Sequence, residues 1–408
     1  MKYLIIGNSI ASTGVIEGIR RIDDKGEITV IGEEKHHVYS RPLISYLIQG
    51  KTDEERIKYR ANDFYEKNRV TTLLGIKAVK IDNDKKTVTL SDGQILPYDK
   101  LAVATGSTPF IPQIEGYDGV KNKTTFSTLD DAKRLEGMID KTKNVLIMGA
   151  GLIGLKCAEC LAHKVKSITV VDHASYVLHS ILKQEEADEV QKVLEEQGIK
   201  FILKNGVNKF DGQTAYLDGS TLNFDILVMA VGVRPNVALL KDADAKVNKG
   251  IVVNAKSETT LKDVYACGDC TEYLDVSSNE NKIMAILPNA YMQGETAGIN
   301  MAGGSASFDK AIPMNSIGFF GYHIISAGSY DGEVSIENGD DFIKKFFVAD
   351  GKLKGFILAG NVDRAGIYTK MVRDEISLSD VDFDLIKKEA SLICFVKSIR
   401  DSSLTRVV

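Results

Sequence analysis

The stretch NVLIMGAGLIG, residues 144–154, decides the fold of this chain. Its first residues predict a strand, and a helical pattern follows the glycines and runs through Leu161. A glycine-rich turn between strand and helix lets backbone N–H groups approach a pyrophosphate, whose charge the helix dipole stabilises. The alternative is a closely packed turn without a ligand. The spacing matches the dinucleotide-binding fingerprint, which places five residues at the phosphates: Gly149, Gly151, Leu152, Ile153 and Gly154.

Asp172 follows the next predicted strand, residues 167–171, and lies 18 residues after Gly154. A carboxylate at this place accepts hydrogen bonds from the 2′- and 3′-hydroxyls of a ribose and repels a 2′-phosphate. No arginine follows it, only His173. We therefore predict NADH rather than NADPH as the dinucleotide at this turn.

The N-terminus repeats this pattern in a degraded form. An apolar strand at 2–6 leads into a turn in which Ser9 and Ser12 replace the second and third glycines. A second strand precedes Glu33, which is the expected ribose carboxylate, with Glu34 as the less favoured choice. Two strand–turn–helix–strand units predict parallel sheets with crossover helices, and hence two nucleotide-binding domains.

Prolines and glycines indicate where the chain passes between domains. Pro109 and Pro112 mark the exit from the first domain, and residues 232–235 mark the return. Beyond Pro313 the sequence becomes strand-rich, with strands predicted at 317–327, 342–348 and 354–359. We predict an α/β fold with two Rossmann-like nucleotide domains and a smaller α+β C-terminal domain. The predicted boundaries are 1–112 with 236–312 for the first nucleotide domain, 113–235 for the second, and 313–408 for the C-terminal domain.

Composition and charge argue against several classes of protein. The 408 residues are 44% apolar and 26% charged, with a formal net charge of −5, which is typical of a globular chain. No basic run indicates a nucleic-acid or membrane partner, and the opening residues predict a strand rather than a secretory signal. Five cysteines, an odd number, fit a reducing cytoplasm. The six histidines do not cluster with metal-ligand spacing, so no metal site is predicted.

Further segments complete a recognisable set of motifs. Residues 260–269, TLKDVYACGD, resemble the second flavin-binding motif of the pyridine nucleotide–disulfide oxidoreductase superfamily, whose members have two dinucleotide-binding domains. Residues 104–106, ATG, and 232–236, GVRPN, resemble two more of its motifs. Residues 41–45, RPLIS, and 358–369, LAGNVDRAGIYT, are similar to one branch, the NADH:rubredoxin oxidoreductases and the flavoprotein portion of assimilatory nitrite reductase large subunits.

This resemblance implies that the first unit binds FAD and the second binds NAD(H). The implied FAD contacts are Gly7, Ser9, Ala11, Ser12, Glu33, Arg41, Pro42, Val79, Ala104, Thr105, Gly106 and Asp269. The implied NAD(H) contacts add Lys156, Asp172 and Gly232 to the glycine-rich turn. Lys156 could contact the cofactor, pair with a carboxylate or lie on the helix edge. A helix over 288–302 would point its N-terminus at the flavin, where its dipole stabilises negative charge.

The cysteines bear on the route that electrons take. Many members of the superfamily carry a redox-active cysteine beside the flavin early in the first domain, and this chain has no cysteine before Cys157. That difference argues against reduction of disulfides or peroxides through a cysteine at that place. Cys267 and Cys270 lie inside the flavin motif and do not open a helix after a thioredoxin-like strand. Cys157 and Cys160 share a helix face at the place of the disulfide in thioredoxin-reductase-like enzymes, but the chain lacks the other features of that subfamily. Packing is therefore favoured over redox function for both pairs.

The resemblance implies an FAD-dependent NADH oxidoreductase that passes electrons through the flavin to a small iron-containing protein such as rubredoxin. No catalytic residue is predicted, because the protein would supply position and electrostatics while the cofactors carry the chemistry. Three alternatives stay open: an NADH oxidase that reduces dioxygen, a non-catalytic FAD- and NAD-binding sensor or scaffold, and an electron-input subunit of a larger enzyme. The expected setting is the cytoplasm, and the C-terminal domain could form part of a homodimer or partner surface.

Overall fold

The computed structural model describes residues 1–404, which form two compact units. The first unit comprises residues 1–178, 194–273 and 283–308. The second comprises residues 179–193, residues 274–282 and the described residues from Asp309 onward. None of the helices in the described part of the chain combines the length and the apolarity that a membrane crossing needs.

Residues 1–112 form the strands β1 (Lys2–Ile6), β2 (Glu27–Gly32), β3 (Val70–Leu74), β4 (Ala78–Asp82), β5 (Thr87–Leu90), β6 (Ile95–Pro97), β7 (Lys100–Val103) and β8 (Ser107–Pro109). Their helices are α1 (Ile10–Ile22), α2 (Ile44–Gln49) and α3 (Phe64–Lys67), and a 3-10 turn spans Arg41–Leu43. The next strands are β9 (Lys123–Thr125), β10 (Asn144–Met148), β11 (Ser167–Val171), β12 (Ile199–Ile202), β13 (Val207–Asp211), β14 (Thr214–Leu217), β15 (Ser220–Asn223), β16 (Ile226–Met229) and β17 (Val233–Pro235). The helices among them are α4 (Leu129–Glu136), α5 (Leu152–Leu161) and α6 (Gln184–Glu196), with a 3-10 turn at Tyr117–Gly119.

The chain continues through α7 (Ala238–Lys241), β18 (Ile251–Val252), β19 (Val264–Ala266), β20 (Thr271–Asp275), β21 (Glu280–Lys282) and α8 (Leu287–Met301). The last strands are β22 (Met314–Phe319), β23 (Tyr322–Gly328), β24 (Glu333–Asn338), β25 (Ile343–Ala349) and β26 (Lys352–Ala359). They are followed by α9 (Ala365–Arg373), α10 (Phe383–Lys388) and α11 (Lys397–Leu404), with 3-10 turns at Leu378–Asp380 and Leu392–Cys394.

The first unit contains both parallel sheets that the sequence predicts. One has the strand order β19-β7-β1-β2-β3 and the other has the order β12-β11-β10-β16-β9. Every neighbouring pair of strands in both sheets is parallel. Helices α1 and α5 follow the central strands β1 and β10. The prediction of two Rossmann-like cores is therefore confirmed.

The first parallel sheet is buried on both faces, as expected for a sheet with crossover connections. Side chains alternate along β1, so Tyr3 and Ile5 share one cluster with residues of α1 and α8. Leu4 and Ile6 point to the opposite cluster, which contains residues of the antiparallel sheet β4-β5-β6. This burial fixes the strand ends from which the candidate site residues project.

Helices α1 and α8 approach each other at backbone distance. Four glycines line the contact, Gly14 and Gly18 on α1 and Gly294 and Gly298 on α8. A Cβ atom at any of the four would lie under 3.0 Å from a carbonyl oxygen of the other helix. The helix predicted over 288–302 is confirmed as α8, and its glycines explain how it lies so close to the first crossover helix.

The second unit is built around an antiparallel sheet with the order β22-β23-β26-β25-β24, which confirms the predicted C-terminal domain class. One predicted strand, residues 317–327, is wrong, because this stretch contains the reversal of the β22–β23 hairpin. Phe320 and Gly321 make the turn with φ angles of 48° and 94°. An apolar residue rarely adopts a left-handed conformation, so this turn is hard to predict from the sequence. Tyr368 and Met371 of α9 belong to the core of this unit.

Candidate dinucleotide sites

The first turn keeps its backbone geometry despite its two serines. Gly7 has φ of 118°, and a Cβ there would lie under 3.0 Å from the Ala104 carbonyl, so only glycine fits. Ser12 is buried and its hydroxyl donates a 2.6 Å hydrogen bond to the Gly7 carbonyl. Ser9 is the N-cap of α1 but makes no side-chain capping bond, and the buried Ala11 follows in the first turn. The first N–H groups of the helix can therefore serve a phosphate.

The second turn has the form that the fingerprint predicts. Gly149 has φ of 110°, and a Cβ on Gly149 or Gly154 would lie under 3.0 Å from a backbone oxygen. Gly151, the N-cap of α5, differs, because a Cβ there would meet no atom within 4 Å. This open space at an uncapped helix N-terminus fits a pyrophosphate. Leu152 and Ile153 begin the helix and are partly exposed.

Asp172 is held against the second turn. Its Oδ2 accepts a 2.6 Å hydrogen bond from the Ala150 N–H, and its Oδ1 accepts a 2.7 Å bond from the Ala174 N–H. A carboxylate has about four lone-pair positions, so it can still accept ribose hydroxyls. The arrangement brings the predicted ribose acid and the predicted phosphate turn together.

The two acids considered for the first ribose have different surroundings. Glu33 follows β2 with its side chain 72% exposed, and its Oε1 lies 3.4 Å from Lys77 Nζ. Glu34 is engaged by two neighbours, the Arg41 guanidinium and the Tyr39 hydroxyl, whose oxygen lies 2.6 Å from Glu34 Oε2. Glu33 is thus the less engaged of the two, and its role at a ribose stays a prediction.

Arg41 stands where three distant segments meet. Its guanidinium donates to Glu34 and, at 3.0 Å, to the Ser127 carbonyl. Burial acts to lower the pKa of Arg41, but the neighbouring Tyr39 and Glu34 raise it above its ordinary value. Burial raises the pKa of Asp269, while the charge of Arg41 and a hydrogen bond from Ser107 act against that rise. Arg41 therefore remains a fixed positive charge beside the flavin motif.

The ATG and GVRPN segments pair with each other across more than a hundred residues. Thr105 Oγ1 donates to the Asn236 carbonyl and the Asn236 amide donates to the Thr105 carbonyl, both at 2.8 Å. Strands β8 and β17, which follow Gly106 and Gly232, form an antiparallel pair. The segment by which the chain leaves the first predicted domain and the segment by which it returns therefore lie side by side.

The remaining predicted residues occupy separate places. Pro42 lies in the 3-10 turn after Arg41, and Val79 lies half-exposed on β4, outside the parallel sheet that carries the first turn. Lys156 on α5 forms an ion pair with Glu159, and its Nζ lies 5.4 Å from the centre of the Tyr46 ring on α2. Of the three possibilities considered for Lys156, the structure thus shows pairing with a carboxylate.

Two polar side chains that the sequence did not single out support the first turn and the flavin motif. The Tyr65 hydroxyl donates a 2.6 Å bond to Asn8 Oδ1 inside the first turn. On α8, the buried Gln293 accepts bonds from the Gly268 N–H at 2.8 Å and the Thr271 hydroxyl at 3.0 Å. A glutamine on the apolar face of a predicted helix could have indicated the second contact, whereas the first gives no local signal.

All five cysteines are buried and free. Burial raises the pKa of Cys157, Cys267 and Cys270, which disfavours the reactive thiolate. Cys270 Sγ lies 3.6 Å from the Val103 carbonyl, inside the first parallel sheet. These surroundings favour packing over redox function, as predicted. Within residues 1–404, no three His, Cys, Asp or Glu side chains form a group that could hold a metal ion.

Residues 1–294 match the sequence model of the family described as pyridine nucleotide-disulphide oxidoreductase. The chain belongs to this family. The resemblance drawn from its motifs is confirmed, and so is the class of oxidoreductase. The chain has the fold of its family members, since the crystal structure of NADH:rubredoxin oxidoreductase from Clostridium acetobutylicum superposes with a TM-score of 0.76 at 25% identity, over 95% of this chain and 99% of that one.

Curated members of the family match over different shares of their length. The NADH-dependent phenylglyoxylate dehydrogenase subunit epsilon of Aromatoleum evansii is 33% identical over 386 residues, which is 91% of each chain. The assimilatory nitrate reductase electron transfer subunit of Bacillus subtilis is 31% identical over 88% of this chain but only 48% of its own length. The chain thus spans about half of one of these relatives and nearly all of the other.

Proposed function

We propose that this chain takes electrons from NADH through FAD and passes them to a small iron-containing protein such as rubredoxin. The chain is an NADH-dependent flavoprotein oxidoreductase that binds FAD and NAD(H). We assign residues 1–112 and 236–312 to FAD binding, 113–235 to NAD(H) binding, and 313–408 to an interface domain. The electron acceptor and these boundaries are the parts that go beyond the family.

The observation that carries the proposal is the presence of two dinucleotide turns in one compact unit. Each turn lies at the N-terminus of a helix, α1 or α5, whose N-cap residue makes no side-chain capping bond. We assign the FAD pyrophosphate to the turn at Gly7 and the NADH pyrophosphate to the turn at Gly151. FAD, when bound, supplies a ring that accepts a hydride and releases electrons singly.

The chain's own groups favour the reduced state of such a cofactor. Arg41 keeps its positive charge through Glu34 and Tyr39, and it lies close enough to Asp269 to influence that carboxyl. The N-terminus of α8 begins at Leu287 and carries the partial positive charge of a helix dipole. Positive potential from either group, next to the ring, would stabilise negative charge on its reduced form.

The absence of a cysteine before Cys157 supports direct transfer to an external acceptor. All four cysteines of the two CxxC pairs are buried, and burial raises the pKa of Cys157, Cys267 and Cys270, which disfavours a thiolate that could relay electrons. A relative that shares most of its length with this chain, the Clostridium acetobutylicum enzyme, is named an NADH-rubredoxin oxidoreductase. These facts together favour an iron protein over a disulfide or peroxide as the acceptor.

A second candidate is an electron-input subunit of a larger enzyme. It is favoured by the match to a relative named as a subunit of a dehydrogenase, which covers 91% of both chains. In that case the acceptor would be a partner subunit rather than a diffusing protein. The NADH chemistry at the two turns would be the same.

Anaerobic stopped-flow mixing of the FAD-loaded protein with NADH tests the proposal. Flavin absorbance should bleach at roughly 1 to 1,000 per second, the ordinary range of enzyme turnover. The bleached protein is then mixed with rubredoxin or with air-saturated buffer. Rapid reoxidation by rubredoxin, and slow reoxidation by air, supports the proposal.

Rapid reoxidation by air alone would favour the oxidase instead. Reoxidation by neither, together with elution of the native protein in a larger complex, would favour the electron-input subunit. Failure of NADH to bleach the flavin would overturn the proposal and point to a sensor or scaffold.

A further inference from the structure

The hydroxyl of Tyr39 is a buried junction between two parts of the first unit. It donates to Glu34 Oε2 at 2.6 Å, accepts a bond from the Leu129 N–H at 2.9 Å, and lies 3.4 Å from Arg41 Nη1. The Tyr39 side chain is buried, and burial raises the pKa of its hydroxyl, so it stays protonated. A protonated hydroxyl can donate one bond and accept two, which matches these three partners.

Leu129 is the first residue of α4, and this helix follows β9 at the edge of the second parallel sheet. Tyr39 lies between β2 of the first parallel sheet and the 3-10 turn at Arg41–Leu43. The bond from the Leu129 N–H to Tyr39 therefore joins the segment assigned to the flavin with the first helix of the part assigned to NADH. Arg41 repeats the link with its bond to the Ser127 carbonyl, two residues before Leu129.

The α4 side of this junction is stiff. Thr128 caps the helix by accepting the Asp131 N–H at 3.0 Å, and Asp131 completes a capping box. The buried Asp131 carboxylate also accepts the Ser127 N–H at 3.0 Å and the Thr125 hydroxyl at 2.8 Å. Because Thr125 belongs to β9, a displacement of the helix N-terminus would be transmitted to the second sheet.

Two weaker contacts also join α4 to residues 1–112. His36 Nε2 lies 2.7 Å from Asp130 Oδ1, and Lys133 Nζ lies 2.7 Å from Glu54 Oε2. Both involve exposed carboxylates, where an ion pair contributes little to stability. The buried bond of the Tyr39 hydroxyl is thus the contact in this set best able to fix a position.

We propose that Tyr39 is a positioning residue and that its hydroxyl sets the distance between the two bound dinucleotides. This inference rests on the proposed function. Hydride transfer requires reacting atoms about 3–3.5 Å apart, and a misplacement of about 1 Å can cost on the order of 100-fold in rate. Loss of the hydroxyl would loosen the link between the segment at Arg41 and the helix at Leu129 without removing any predicted cofactor contact.

Tyr39→Phe tests the proposal because it keeps the ring and its contact with the Arg41 guanidinium, 5.5 Å from the ring centre. We expect unchanged FAD content, an apparent Kd for NADH within about twofold, and anaerobic bleaching by NADH slowed by about tenfold or more. With NADH deuterated at C4, the isotope effect on bleaching should increase, since the hydride step becomes more limiting. Reduction by dithionite should be unaffected.

Tyr98→Phe is the matched control. Tyr98 is equally buried and its hydroxyl lies 3.0 Å from Asn83 Oδ1, next to the β4-β5-β6 sheet and outside the Tyr39–Leu129 junction. The bleaching rate and the isotope effect of the Tyr98→Phe variant should equal those of the wild type. Amide exchange at Leu129 gives a second readout that needs no cofactor, and it should be faster in Tyr39→Phe only.

The other half of the bond can be removed separately. Leu129→Pro deletes the donor N–H at the first helical position, where proline is tolerated, and Leu129→Ala removes the same packing but keeps the N–H. The proline variant should bleach more slowly than the alanine variant by the factor seen for Tyr39→Phe, and combining it with Tyr39→Phe should add no further loss.

Wild-type bleaching and an unchanged isotope effect in Tyr39→Phe would overturn the positioning role. So would equal bleaching rates in Leu129→Pro and Leu129→Ala. If the wild type itself is not bleached by NADH, the proposed function fails instead, and the exchange experiment still reports whether the link exists.

Discussion

The hydroxyl of Ser12 closes the first turn by donating a 2.6 Å hydrogen bond to the Gly7 carbonyl. The second turn makes the corresponding approach without a side chain, since a Cβ on Gly154 would lie under 3.0 Å from the Gly149 carbonyl. The two turns therefore have the same function in the fold but different geometry at the third position of the fingerprint. A serine is accommodated in the first turn and would not be in the second.

Alanine at Gly151 should impair NADH binding, whereas alanine at Gly154 should impair stability. Gly151→Ala adds a Cβ to open space, so the melting temperature should stay close to that of the wild type while the Kd for NADH rises by about tenfold or more. Gly154→Ala overpacks the turn and should lower the free energy of unfolding by about 1–3 kcal/mol. Thermal unfolding and NADH titration distinguish the two variants. An unchanged Kd in Gly151→Ala would contradict the assignment of the pyrophosphate.

Asp172→Arg should shift the preference of the enzyme toward NADPH. The change removes the acceptor for the ribose hydroxyls and adds a cation that can pair with a 2′-phosphate. The ratio of kcat/KM for NADPH to that for NADH should rise by about tenfold or more. Asp172→Asn, which removes only the charge, should weaken the binding of NADH and improve the binding of NADPH only slightly. If Asp172→Arg binds NADH as the wild type does, the ribose assignment is wrong.

Gly14→Ala should destabilise the first unit, because its Cβ would lie under 3.0 Å from the Tyr291 carbonyl of α8. The expected loss is about 1–3 kcal/mol of unfolding free energy, measured by denaturant titration. Gly366→Ala is the control, since Gly366 lies exposed on α9 with open space around its Cβ position. Removing a helical glycine there should raise stability by about 0.5–1 kcal/mol. Equal effects at both sites would show that α1 and α8 are not in backbone contact.

Asp263 should make stability depend on pH at the acidic end. Lys100 and then Lys86 hold its pKa down to about 2, with Nζ–carboxylate distances of 2.7 and 2.5 Å. Because its folded pKa lies below the unfolded value of about 3.9, its contribution is fully present above that value and is lost as the pH falls toward about 2.

Asp263→Asn should therefore lower the free energy of unfolding at pH 7 by about 1–3 kcal/mol, and this difference should shrink between about pH 4 and pH 2. Urea unfolding at several pH values measures it. The control is Asp84→Asn, which removes one charge from an exposed aspartate two residues before Lys86 and should change the free energy of unfolding at pH 7 by less than about 0.5 kcal/mol. A difference that stays constant down to pH 2 would argue against the pairing with Lys100 and Lys86.

The parts of the fold that the sequence predicted are those encoded by local patterns. The strand, turn and helix around Gly7 and around Gly149 match the predicted ranges, because apolar periodicity and glycine spacing act over short distances. The φ of 48° at Phe320 was not predictable in this way, since its side chain suits a strand.

The contacts between residues far apart in the sequence could not be predicted for the candidate site. The bond between Tyr39 and Leu129 spans 90 residues, and Arg41 reaches Ser127 across 86. No pattern in the sequence brings these atoms together, because the contacts depend on how the two parallel sheets are connected. The bond between Glu34 and Arg41 is likewise absent from the predicted site, because it forms only when Arg41 folds back onto Glu34.

Burial of every cysteine has a practical consequence for work on this enzyme. None of the five sulfur atoms lies on an exposed residue, and burial raises the pKa of Cys157, Cys267 and Cys270. Maleimide alkylation should therefore spare NADH turnover by the native protein while it inactivates enzymes that depend on a reactive thiol. Treatment of a crude extract with such a reagent would isolate the sulfur-independent fraction of flavin reduction before any purification.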